Sequence, residues 1–380
     1  MKKYFILAVA AVAMMASCTK TESINSQKDG VIDFGVFMHK STKATLTDVK
    51  SLDQFTVTAI DVNSTKYIDA QTVAVADDGT CSDYGTYYWP TDDSSLDFFC
   101  WGPSANAAGI TANEYNLFTL APATDPVDQV DFVVARTQGK KSTHATTGVV
   151  CNFRHAMSQV ALKVFNGNKD LEYDVYGWKV INIDMAANYT LADANTDTKN
   201  SAKISYDNWT NNTDALTAGC IDDFDKFTNI YSDANQTKDN AVELTGATNM
   251  VLIPQLTLPM VGDDDAKNNV YAGNETTSGI KCSYIAVLMT IKNHTNDAVV
   301  ANTQWCCWPV QFDWKPGYKY TYIIDLAEGG YKELNDGATA EAQGGRDVTS
   351  LDPILENAKI TFATVTVDDW TEADAEVIAM

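Results

Sequence analysis

Histidine, arginine and paired cysteines are all scarce in this sequence, and each shortage removes a class of chemistry. Four histidines are present, His39, His144, His155 and His294. None falls in an H-E-x-x-H spacing, and neither a G-x-S-x-G elbow nor a Walker loop occurs. Zinc proteolysis, α/β-hydrolase chemistry and nucleotide binding therefore lack their motifs. Beyond Cys18 the cysteines are Cys81, Cys100, Cys151, Cys220, Cys282, Cys306 and Cys307. No C-x-x-C pair exists, which removes zinc-ribbon and thioredoxin-like readings. Their density is far below that of a disulfide framework. Cys306 and Cys307 are neighbours, and on a strand they point to opposite faces, so at most one faces the core. Positive charge is short: 27 Lys and Arg stand against 50 Asp and Glu, a net charge of −23. Such a surface repels phosphate backbones, which argues against nucleic acid as a partner. Asp193–Asn200 imitates the opening of a calcium loop, but Thr198 stands where the loop needs Gly and Ile204 where it needs Glu. Carboxylate pairs such as Asp92–Asp93 sit beside turn residues and read as solvated loop charge. The expectation is no metal, no cofactor and no enzymatic activity.

What is present is β-forming material. Hydrophobic residues make up 45% and aromatics 10% of the 380 residues, enough for two cores and unlike a disordered chain. Outside the N-terminus no long helical period occurs, whereas period-two and short apolar runs recur. Strands are expected at 55–59, 96–101, 129–136, 158–166, 173–183, 249–255, 283–293, 318–326 and 359–370. Turn-rich breakers separate them, and "SLDPILENA" (350–358) has room for one short helix. The expected class is all-β, with two sandwiches and long loops. The polar run 137–148, without a large apolar residue, suggests the seam, with Asn166–Lys169 as the alternative. This gives units at 31–145 and 146–380, after a signal at 1–17 and a linker at 18–30.

The first 18 residues bear on the compartment. Lys2 and Lys3 precede an apolar run from Tyr4 to Met15, too short to span a bilayer comfortably. "MASC", Met15–Cys18, resembles the lipobox of bacterial lipoproteins, with Met15 in place of the usual Leu. That resemblance implies removal of the signal and lipidation of Cys18 by acyl chains such as palmitate. No Asp follows the cysteine, which points to the outer membrane or cell surface.

Just beyond lies "GVIDFGVFMHKSTKATLTD", residues 30–48. A strand-like run, Val31–Met38, meets a cationic break at His39–Lys43. Period two puts Ile32, Phe34 and Val36 on one face and Val31, Asp33 and Phe37 on the other. This start, "FTVTA" (55–59), "YYWP" (87–90), "LDFFCW" (96–101), "VDFVVAR" (130–136), "FRHAMSQVALKV" (153–164), "LIPQ" (252–255), "WKPGYKYTYIIDL" (314–326) and "ITFATVTVDDW" (360–370) occur in order. Together with the lipobox they resemble the fimbrillin-like proteins, subunits of the type V pili of Gram-negative anaerobes. The resemblance covers about Val31 to Trp370.

The resemblance implies two transthyretin-like, Greek-key-type β-sandwich domains. It implies export as an outer-membrane lipoprotein, then proteolysis after a basic residue in the loop behind the first strand. Lys43 is the first candidate and Lys40 the second, because the first arginine is Arg136. Loss of the plug strand, with Ile32, Phe34 and Val36 on its inner face, would open a slot. Other pilin subunits would fill it by strand addition, supporting adhesion. The candidate donor is the C-terminal strand, with Ile360, Phe362, Val365 and Val367; folding back into its own domain is the alternative. Two further readings stay open. One is a non-polymerising pilus anchor or tip. The other is a surface glycan-binding lipoprotein working through exposed tryptophans.

Overall fold

A computed structural model describes residues 30–38, 52–76, 79–103, 107–191, 202, 204–211, 215–218, 228–231, 237–245, 249–257, 283–332 and 364–369 of the chain. The expected short helix at 350–358 and the calcium-loop mimic at 193–200 lie outside these residues. Within them the chain is built almost wholly of strands, and the one α-helix, α1, is a single turn at Lys141–His144.

The described residues begin with β1 (Phe34–Met38), β2 (Gln54–Ile60), β3 (Lys66–Val75), β4 (Cys81–Ser82) and β5 (Leu96–Gly102). A hairpin, β6 (Ile110–Glu114) and β7 (Leu117–Leu120), is followed by β8 (Val133–Gly139) and β9 (Val149–His155). All but the hairpin form one seven-stranded sheet of order β1-β9-β8-β5-β2-β3-β4. The paired register of β8 and β9 is confined to Val133–His155 and Val134–Arg154. The rest of β9 runs beside β1, and this ribbon packs over β2 and β5. Phe153 meets Phe55 with ring centroids 5.2 Å apart, and Phe34 meets Phe55 at 6.3 Å.

The two central strands read as apolar runs because both their faces are covered. In β5, Leu96, Phe98 and Cys100 enter the core shared with β1 and β9. Phe99 and Trp101, on the opposite face, enter another core with Phe118, Phe132, Tyr189 and Val251.

The second half of the chain begins at β10 (Ser158–Phe165), followed by β11 (Leu171–Asp184), β12 (Ala187–Thr190), β13 (Trp209–Asn211), β14 (Ala215–Ala218) and β15 (Thr228–Tyr231). Then come β16 (Val242–Glu243), β17 (Met250–Leu252), β18 (Gln255–Leu256), β19 (Tyr284–Asn293) and β20 (Val299–Pro309). The last are β21 (Asp313–Trp314), β22 (Tyr318–Asp325), β23 (Tyr331–Lys332) and β24 (Thr364–Asp369). One sheet has the order β16-β10-β22-β24, with β17 also on β10. It faces a second of order β14-β11-β19-β20-β23 across a core that includes Leu162, Trp178, Val287, Trp308, Trp314 and Tyr322. In β11 the register shifts between Val175 and Gly177. The extra residue, Tyr176, is a bulge that lets Tyr173, Val175, Trp178 and Val180 all face one core despite their change of parity.

The all-β reading of the sequence therefore agrees with the structure. Several local readings change. The run 129–132 is not strand: Pro126–Asp128 form a 3₁₀ turn with Gln129 as its C-cap, and β8 starts at Val133. The strand expected over 249–255 splits into β17 and β18 around Ile253–Pro254, because proline has no N–H for the ladder.

Of the polar run 137–148, read as the seam, residues 137–139 complete β8 and the rest leads through α1 to β9 in the same sheet. The first sheet continues to His155. The two halves are also joined by a shared four-stranded sheet, β13-β12-β7-β6, with β7 from the first and β12 from the second.

Candidate functional site

The site is the seat of the first strand. Gly30, at φ +83°, turns the chain into β1 in a conformation that a side chain would strain. The strand then lies parallel to β9 in the register Phe34–Val149 through Met38–Phe153. Val149 N–H donates to the carbonyl of Asp33 at 2.7 Å. The other side of the segment is occupied too. Ile32 N–H donates to Tyr87 O, and Trp89 N–H to Gly30 O, both at 2.9 Å. Bridges join Val31 to Tyr88 and Gly35 to Thr80, next to β4 at the far end of the sheet. The first strand thus sits between the two ends of its sheet and closes it.

Alternation supplies the other half of the grip. Ile32, Phe34 and Val36 are 0%, 4% and 0% exposed and belong to the first core. The Phe34 ring stands edge-on to Tyr84 at 5.1 Å and to Phe98 at 5.9 Å. Tyr84 Oη donates to Asp33 Oδ1 at 3.3 Å. Burial, reinforced by the Asp33 carboxylate, pushes the Tyr84 phenol well above its ordinary range. It stays a proton donor at every physiological pH.

Cys18, Lys40 and Lys43 lie outside the described residues. Both lysines fall in the connection between β1 and β2, which are separated in the sheet by β9, β8 and β5. At the other end of the chain Ile360 and Phe362 also lie outside. Val365 and Val367 are in β24, opposite Tyr322 and Tyr320 of β22. The last strand is thus paired at the edge of a sheet in its own second half. Sequence reasoning missed what holds β1. The signals were the alternation of Val149, Cys151 and Phe153, buried beside exposed Val150, and the "YYWP" run that supplies Tyr87 and Trp89.

The tryptophans do not form an exposed platform among the described residues. Trp89, Trp101, Trp178, Trp209, Trp308 and Trp314 are buried, as large aromatics in strands usually are. Trp305 is half-buried under the Lys179 ammonium, 4.2 Å from the ring centroid. Trp370 lies outside. An open cleft of about 210 Å³ carries Asp61, Ser64, Tyr115 and Gln138 around Arg136. That guanidinium forks onto Asp97, with Nε at 3.0 Å from Oδ1, and covers the Phe99 ring at 4.3 Å. No group of three or more His, Cys, Asp or Glu placed to hold a metal occurs among the described residues.

A family model described as fimbrillin-like matches residues 34–370. A fimbrial protein from Bacteroides vulgatus has a similar structure, with 17% identity, 90% of this chain and 100% of that chain covered, and a TM-score of 0.52. A fimbrial assembly protein from Parabacteroides distasonis is more distant, at 10% identity, 77% and 90% coverage and a TM-score of 0.36. No curated protein sequence matches.

Proposed function

Because the chain belongs to the fimbrillin-like family, we propose that it is a non-enzymatic structural subunit of a cell-surface pilus, with β1 as a removable plug. The observation that carries this reading is the double grip on residues 30–38, by backbone on both sides and by Ile32, Phe34 and Val36 beneath. Burying three such side chains contributes roughly 6 kcal/mol, and each ladder hydrogen bond about 1 kcal/mol. That suffices for a segment tethered to its seat. After a cut behind it, the same contacts must hold a separate peptide. The millimolar effective concentration of a short tether is then lost. The vacated seat offers unpaired backbone on two sides and apolar pockets at every second position, which suits a strand from another subunit.

In this reading the cut falls after Lys43 or, second, Lys40, and the donor is the C-terminal strand carrying Ile360, Phe362, Val365 and Val367. An edge strand such as β24 can leave its sheet by breaking one ladder rather than two. Lipidation at Cys18 would hold the uncut chain at the outer membrane, and the partners are further pilin subunits, with adhesion as the outcome. We divide the chain after β9, at Ala156–Met157. The first unit then takes 31–155 and the second starts at Ser158.

Limited trypsin digestion tests this. The expected result is a short N-terminal peptide ending at Lys43 or Lys40, followed by a ladder of oligomers on size-exclusion chromatography. A digest that loses the peptide yet stays monomeric at high concentration would overturn strand exchange.

A further inference from the structure

Two of the cysteines meet inside the first core. Cys100 is on β5 and Cys151 on β9, the strand that carries β1. Both are fully buried, and their sulfurs are 3.6 Å apart although the residues are separated by 51 positions. β5 and β9 are not neighbours in the sheet; β8 lies between them. The two thiols therefore meet across the fold of the sheet, where the β1/β9 ribbon packs over β2 and β5. Closing the gap to a bond of about 2.05 Å takes a movement of roughly 1.5 Å shared by two side chains. Nothing in the proposed pilus role uses either thiol.

We propose that Cys100 and Cys151 are a disulfide site, joined when the chain folds in an oxidising compartment. Each thiol gives up one proton, one S–S bond forms, and the two electrons reduce a small disulfide such as oxidised glutathione to two thiols. The bond forms before the layers close. Once they have closed, both sulfurs are buried out of reach of a small disulfide, and the contact with Cys100 and burial favour the thiol form of Cys151. Of the other cysteines described, Cys81 lies on β4, while Cys306 and Cys307 are in separate clusters of the second half. The bond would fasten β9 to β5 independently of β1. Its use in keeping the seat formed after plug removal rests on the reading above; the bond itself does not.

The test uses the full uncut chain, unfolded and reduced, then refolded either with a reduced and oxidised glutathione mixture or with excess phosphine reductant. The expected result is two fewer titratable thiols in denaturant for the oxidised sample. Peptide mapping without reduction should give one linked pair containing Cys100 and Cys151, with the melting temperature raised by roughly 10 °C. The double variant Cys100→Ala, Cys151→Ala should melt alike under both conditions. A folded oxidised sample that retains both thiols, or links either one to another cysteine, would overturn the proposal. Mapping the unmodified chain decides this even where the variant fails to fold.

Discussion

Phe34 stands edge-on to Phe98, with ring centroids 5.9 Å apart and planes at 82°. One residue belongs to β1, the first strand among the described residues, and the other to the central strand β5. This contact keys a terminal segment into the middle of a core rather than onto its surface. Phe34→Ala should cost about 3–5 kcal/mol in the denaturant-induced unfolding of the first unit. Val62→Ala, at a side chain 65% exposed, should change it by less than ~0.5 kcal/mol. Equal effects would show that the first strand is not part of the core.

The grip of the backbone can be tested apart from the side chains. Val149→Pro deletes the N–H that donates to Asp33 O and leaves that carbonyl without this bond. A loss of about 2 kcal/mol should speed hydrogen exchange of the amides at 31–38 by roughly thirtyfold, while β19 keeps its protection. Unchanged exchange at 31–38 would place the main grip on the Tyr87–Trp89 side.

His155 and Asp131 form a pair 2.6 Å apart at the end of the first sheet, with side chains 2% and 0% exposed. Replacing Asp131 deletes this buried hydrogen bond. Asp131→Ala should therefore lower stability by roughly 2 kcal/mol. The exposed Lys66–Asp69 pair is the control, and Asp69→Ala should cost under ~0.5 kcal/mol. Thermal denaturation of both variants distinguishes these outcomes.

Acid should weaken the second unit through Glu172. The hydrogen bond from His294, then that from Asn229, hold its carboxyl below the ordinary glutamate range. A depressed folded-state value adds stability above the unfolded pKa, and that stability is lost as pH falls through the folded one. The contribution is present at neutral pH and fades below about pH 4.5. Glu172→Gln should flatten the fall in melting temperature between roughly pH 5 and pH 3. An unaltered slope would assign the acid sensitivity to other carboxylates.

Strand positions were readable because period two is a local property. The runs at β2, β5, β10, β11, β19 and β22 are near the expected bounds. The inward face of the first strand follows from the same rule, since Ile32, Phe34 and Val36 differ from their neighbours by one position. Cys306 and Cys307 do take opposite sides of β20, yet both are buried. Around these two residues the strand is covered on each face, which no single stretch of sequence displays. The polar run before β9 has the same local ambiguity. A surface turn inside a sheet and a linker between units share one composition, and only the ladder through Val133–His155 distinguishes them.

By itself, then, the sequence determined the β character of the chain and the faces of its strands, because both follow from residue type and short-range spacing. The tertiary structure alone decided that Phe34–Met38 runs parallel to Val149–Phe153 and that Cys100 meets Cys151. Partner and register are set by burial between segments far apart in the chain, and a strand carries no local mark of the neighbour that will complete its hydrogen bonds.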